Sequence, residues 1–169
     1  MEIRPERPED HDAIAAVTEA AFGSPREARM VDAIRRSPAY VPELSLVAVD
    51  DDGAVVGHAI ASYVGLEGSA RRLLELGPLS VRPDRQGAGV GGDLVRATLA
   101  AADARGEPLV LVLGDSSFYS SFGFRRASEL GITPPEPAIP DDAFMAAPLR
   151  AYDATIRGRV IFPEAYALR

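Results

Sequence analysis

The passage from strand to helix between Leu76 and Leu94 restricts how this chain can fold more than any other segment. There Leu79-Ser-Val-Arg-Pro-Asp-Arg-Gln-Gly-Ala-Gly-Val-Gly-Gly-Asp-Leu94 carries an apolar strand, Leu76 to Val81, past a turn at Pro83 and through Gly87, Gly89, Gly91 and Gly92. A helix N-terminus presents unpaired backbone N–H groups and the positive end of the helix dipole. Glycines ahead of it let an anion approach the main chain closely. The segment therefore reads as a phosphate cradle on a strand-to-helix turn. Which phosphate it holds depends on its context.

Composition narrows the choice. The chain has no cysteine, which excludes disulfides, thiolate metal sites and a cysteine nucleophile. His11 and His58 are the sole histidines, so a histidine-rich metal site is not expected. Lysine is absent: the GxxxxGK[ST] phosphate loop and a lysine Schiff base both fall away. A net charge of −7 disfavours nucleic acid and mildly favours cationic partners such as amines. Met1-Glu-Ile-Arg-Pro-Glu-Arg7 lacks the apolar stretch of a signal peptide, and no run approaches the ~18 residues of a membrane span. A cytoplasmic protein without membrane association is expected, with residues 1–169 forming a single domain.

The periodicities give a mixed α/β order. Glu2-Ile-Arg-Pro5 reads as a first strand, and Pro8-Glu-Asp10 opens a helix whose Ile14, Val17, Ala21 and Phe22 recur at helical spacing until Gly23-Ser-Pro25. A second helix spans Glu27 to Arg36. Leu44 to Val49 and Ala54 to Val64 read as a hairpin around Asp50-Asp-Asp-Gly53. Leu73 to Val81 is the next strand, and Gly77-Pro78 within it marks a bulge or an edge. A helix follows from Val90 to Ala104, and Leu109-Val-Leu-Val-Leu113 reads as a strand buried on both faces. A short helix over Ser117 to Phe122 leads into a strand from Phe124. Further strands are expected around Ala143 to Leu149 and at Val160-Ile-Phe162, after a loop rich in proline and acid. The result is a mostly antiparallel central sheet flanked by helices.

Two readings of the glycine loop compete. Gly87, Gly89 and Gly92 match GxGxxG, the dinucleotide fingerprint, with Asp115 placed as a ribose-binding acid. Against an NAD(P) oxidoreductase, Arg82-Pro-Asp-Arg-Gln86 separates the strand from the first glycine, and no second βαβ half is present. The other pattern is Gln86-x-x-Gly89-x-Gly91, joined by Phe118-Tyr-Ser-Ser-Phe-Gly-Phe124 after the Leu109–Leu113 strand. Together these resemble the GNAT superfamily of N-acetyltransferases, whose coenzyme loop reads Q/R-x-x-G-x-G/A and whose later segment reads FYxxxGF. The element order from Ile3 to Phe124 fits that superfamily. Leu113-Gly-Asp115 and the tail from Gly158 to Tyr166 resemble a broad bacterial subgroup whose substrates are unassigned.

The resemblance implies an acyl-CoA N-acyltransferase fold with splayed fourth and fifth strands, acetyl-coenzyme A as co-substrate and no metal. Main-chain amides of Gln86, Gly87, Ala88, Gly89, Val90, Gly91 and Gly92 would hold the pyrophosphate. Leu79, Ser80 and Val81 would line the pantetheine slot, with the Leu79 N–H polarising the thioester carbonyl. Ser117 stands near the place of an asparagine that often helps hold the coenzyme. Tyr119 matches the family's general acid, a phenol of pKa near ~10 that can protonate a departing thiolate.

Glu75 has the spacing of the catalytic glutamate of the histone-acetylating branch. Strand alternation would place it on the face of Gly77, Leu79 and Val81. It reads either as the base or as an exposed strand-end carboxylate beside Arg71 and Arg72. His58 reads as a hydrogen-bonded structural histidine, and Ser116 and Ser117 as caps of the short helix. The implied reaction is acetyl transfer to a primary amine by direct attack in a ternary complex, on a small molecule or a protein. A non-catalytic acetyl-CoA sensor is the alternative, and superfamily members are often homodimers.

Overall fold

Nine strands form one sheet in the computed structural model, which describes residues 1–168. β1 (Glu2–Pro5), β2 (Ser45–Val49), β3 (Val55–Leu66) and β4 (Arg72–Val81) pair antiparallel in succession. β5 (Leu109–Leu113) joins β4 in parallel after a crossover. Short β6 (Arg125–Arg126) and β7 (Ile132–Thr133) precede β8 (Phe144–Pro148), which lies antiparallel to β5. β9 (Gly158–Ile161) pairs with the end of β3 and with β7. The main path runs β1-β2-β3-β4-β5-β8-β6.

The helices fall on the two faces as the apolar alternation requires. α1 (His11–Phe22) and α2 (Arg26–Arg35) cover one face, where Met30, Val31 and Ile34 meet Ile60, Val64, Leu73 and Leu111. α3 (Val90–Ala104) covers the other, where Leu94 and Val95 meet Ala59, Ala61, Leu74 and Val112. The expected double burial of Leu109–Leu113 follows, since its successive residues feed opposite cores.

Some expected boundaries move. The strand expected from Phe124 contracts to Arg125–Arg126, because Phe124 is buried in the core and Ala127–Leu130 tightens into a 3-10 turn. The last strand begins earlier, at Gly158, and ends at Ile161. The short helix is one α-turn, α4 (Ser116–Tyr119), continued by a 3-10 turn over Ser120–Phe122.

Two irregularities in β4 position the site. Its register against β3 passes from Ala61↔Leu76 to Ala59↔Leu79, so Gly77 and Pro78 together face the single residue Ile60. This is the bulge expected from the Gly-Pro pair. On its other side, β4 pairs with β5 only over Leu74–Leu76 and Val110–Val112. Beyond Leu76 the two parallel strands have no ladder.

Candidate active site

The loop after β4 is shaped by its own side chains. Gln86 donates from Nε2 to the Val81 carbonyl at 3.0 Å, folding the loop back onto the strand end. Arg82 is held by Asp84 at 2.6 Å and Arg85 by Asp50 at 3.0 Å, so both guanidinium groups near the loop already face carboxylates. Gly89 is the N-cap of α3 at φ 92°, a left-handed conformation that side chains disfavour. Gln86, Gly87, Ala88 and Gly89 are exposed, while Val90 and Gly92 are buried and Gly91 half-buried. The first-turn amides of α3 therefore open towards the surface beside the β4 end, where Leu79 and Val81 are half-buried and Ser80 is buried.

Tyr119 approaches the same region from α4. Its ring is buried and packs edge-on against Phe118 at 4.9 Å and Phe124 at 5.5 Å. Burial pushes its phenol up to about 12, and its hydroxyl makes no hydrogen bond to the described residues. Phe118 and Phe122, which the sequence reading treated as packing, close against Gly91 and Gly92 at the α3 N-terminus. The cap of α4 corrects the expectation for Ser116 and Ser117. Asp115 is the capping residue, accepting from the Ser117 N–H at 2.9 Å and from its hydroxyl at 2.8 Å. The Ser117 hydroxyl is thus engaged locally, and those bonds hold the Asp115 carboxyl below the usual carboxylate range.

Gly114 fixes the position of Tyr119. A Cβ at Gly114 would lie 2.6 Å from Cε2 of that ring, and the neighbouring phenylalanines leave the ring no free direction to retreat. Gly114→Ala is expected to shift the ring and cut turnover by about 10²-fold, the usual consequence of moving a reacting group by an ångström. Steady-state kinetics beside coenzyme titration would check it, and unchanged turnover would count against any chemical part for Tyr119.

Glu75 departs from both of its expected settings. It is fully buried, so it is not the exposed strand-end carboxylate beside Arg71 and Arg72. Nor does it share a face with Leu79 and Val81. It sits opposite Ser62, and Ser80 sits opposite His58, so Glu75 and Ser80 point to the α1/α2 face. Leu79 and Val81 point to the α3 face, because the bulge inserts one residue and inverts the alternation. Tyr166 reaches Glu75's rung from the C-terminal segment, its hydroxyl 2.5 Å from Ser62 Oγ.

A second buried polar group went unrecognised in the sequence. The Glu6 carboxylate takes hydrogen bonds from Arg35 at 2.7 and 2.9 Å and from the Tyr40 hydroxyl at 2.8 Å, and His58 Nε2 lies 3.4 Å away. Burial opposes ionisation of Glu6, but these bonds outweigh it and hold the carboxyl well below its ordinary value. His58 also bonds Ser45 at 2.9 Å, and burial lowers its pKa. Its Nδ1 has no partner among the described residues, so a second ring proton would be buried without an acceptor. His58 is structural, as its place on a strand suggested. Thr18 of α1 meets Ser80 at 3.2 Å and ties that helix to the β4 end.

Known proteins agree with this arrangement. The model of the acetyltransferase (GNAT) domain matches residues 2–127. YhbS of Escherichia coli (strain K12), an uncharacterized N-acetyltransferase, is 35% identical over 128 residues, covering 76% of this chain and 75% of that protein. YjhQ of the same organism, also an uncharacterized N-acetyltransferase, is 33% identical over 157 residues, covering 89% and 86%. The crystal structure of Escherichia coli YhbS in complex with CoA superposes with a TM-score of 0.89 at 32% identity, covering 98% of this chain and 91% of that one. A GNAT family acetyltransferase from Brucella melitensis in complex with acetyl-CoA gives a TM-score of 0.80 at 35% identity, covering 98% and 97%.

Proposed function

The chain belongs to the GNAT acetyltransferase family, and we propose that it moves acetyl from acetyl-coenzyme A to a primary amine by direct attack in a ternary complex. One observation carries this reading: beyond Leu76, β4 has no ladder partner in β5, and that gap opens beside the exposed amides at the start of α3. The residues fit the coenzyme. Main-chain N–H groups from Gln86 to Gly92 take the pyrophosphate, and the free edge of Leu79–Val81 takes the pantetheine amides as an added strand would. Both chains seen with CoA or acetyl-CoA share this fold.

The chemistry then divides across the sheet. Tyr119 lies in the α3-side core and Glu75 on the α1/α2 side. An acid for the leaving sulfur and a base for the attacking nitrogen belong on opposite sides of the carbonyl. The amine nitrogen attacks the thioester carbon, and the Leu79 N–H supports the oxyanion. The C–S bond then breaks as Tyr119 gives its proton to sulfur, and Glu75 takes the proton lost by nitrogen. The products are the N-acetylated amine and the free thiol of coenzyme A.

Calorimetry with coenzyme A and NADPH, beside a thiol-release screen of acetyl-coenzyme A against an amine library, tests the reading. Coenzyme A binding with thiol release for at least one amine class is expected. Binding of NADPH alone would return the loop to the dinucleotide reading. Coenzyme A binding with no release across the library would favour a sensor.

A further inference from the structure

A mostly apolar cavity of about 870 Å³ opens on the α1/α2 face, away from the glycine loop. It is walled by the end of α2 and the turn after it, by the last residues of β3, and by the C-terminal segment. Three arginines, Arg36, Arg71 and Arg72, stand on it beside a single acid, Glu164. Arg36 already has a partner in Asp32 at 2.7 Å. Arg71 and Arg72 have no carboxylate partner among the described residues. Arg72 is nevertheless fixed in place: it donates to the Pro38 carbonyl at 3.1 Å and lies over the Tyr63 ring at 4.1 Å. A held guanidinium without an anion, at an apolar cavity, in a chain of net charge −7, is an unfilled demand for negative charge.

The cavity also points at the reaction. Ala165 and Ala167 line it, and Tyr166 between them runs inward to Ser62, the cross-strand partner of Glu75. Arg72 lies three residues before Glu75 on β4, which is about 10 Å at the usual strand rise. We propose that this cavity holds the acceptor, and that the acceptor joins its primary amine to a carboxylate through an apolar body about 10 Å long. The carboxylate meets Arg71 and Arg72, the body lies against Val64 and Phe162, and the amine is directed to the Glu75 rung. The inference rests on the acetyl-transfer reading. It runs against the net charge, which by itself would favour a dication.

Three amines with one apolar body and different far ends provide the test: ω-aminooctanoate, octylamine and diaminooctane. Thiol release is measured for each in the wild type, in Arg71→Gln and in Arg72→Gln, and calorimetry on coenzyme-saturated protein measures the binding of each without turnover. Expected is a kcat/KM and an affinity for ω-aminooctanoate at least about tenfold above the other two, with both variants removing that advantage and leaving octylamine unchanged. Equal use of the three amines, a preference for the diamine, or variants that keep the advantage would overturn the proposal while leaving acetyl transfer intact. Tight, arginine-dependent binding of ω-aminooctanoate without thiol release would do the reverse: the cavity assignment stands and the transferase reading fails.

Discussion

Replacing Tyr119 with phenylalanine is expected to lower kcat by about 10²- to 10⁴-fold and to change coenzyme A affinity by less than about threefold. The contrast is large because the substitution removes little else. The Tyr119 ring keeps its edge contacts with Phe118 and Phe124, and its hydroxyl has no protein hydrogen bond to lose among the described residues. The phenol, pushed up to about 12 by burial, stays protonated across the working range, so it can give a proton and cannot serve as the base. A donor with so high a pKa would be poor in water, but the burial that disfavours phenolate disfavours the departing thiolate as well. Wild-type kcat should therefore show no alkaline loss from this group below about pH 10. Steady-state and single-turnover kinetics across pH, with a coenzyme titration of the variant, would decide it. A variant that turns over at the wild-type rate with chemistry limiting removes Tyr119 from the mechanism.

The parts of this fold that could be read from sequence are those where one segment carries its own signal. Alternation along Leu44–Val49 and Leu109–Leu113, helical spacing in Val90–Ala104 and the glycine loop each predicted an element found within a residue or two. Gly77-Pro78 predicted a bulge, and a bulge is there. Its consequence could not be read. Whether those two residues occupy one rung or two depends on what β3 places opposite them, and that choice decided which face Glu75 takes. Ser117 failed for a similar reason, since the stronger cap, Asp115, stands just before the helix and engages the Ser117 hydroxyl. The cavity draws its walls from segments far apart in the chain, and Arg71 and Arg72 read as an ordinary polar turn until the tail folds beside them.

Glu6 was invisible for the same reason, and it carries the second large effect. Glu6→Ala is expected to cost about 3–5 kcal/mol of stability, the range for breaking a buried charge pair by deleting one partner. The Glu6 side chain is only 2% exposed and Arg35 11%, so deletion leaves a guanidinium, the Tyr40 hydroxyl and His58 facing a space with no anion. For a chain of this size that is a melting temperature lower by roughly 6–20 °C. The pH dependence has a definite sign. Glu6 ionises at an ordinary value of 4.5 when unfolded and lower when folded, so its contribution is complete above 4.5 and is lost as pH falls further. His58, also depressed by burial, adds a loss that starts below its ordinary 6.5. Wild-type stability should thus be level above about pH 7 and fall in two stages on acidification. In Glu6→Ala the lower stage should flatten, because the carboxyl that titrates there is gone. Thermal melts of both proteins across that range would test this. An unchanged melting temperature at neutral pH would mean that Arg35 finds water or another acceptor once Glu6 is removed, and that the tie from β1 to α2 and β3 is dispensable.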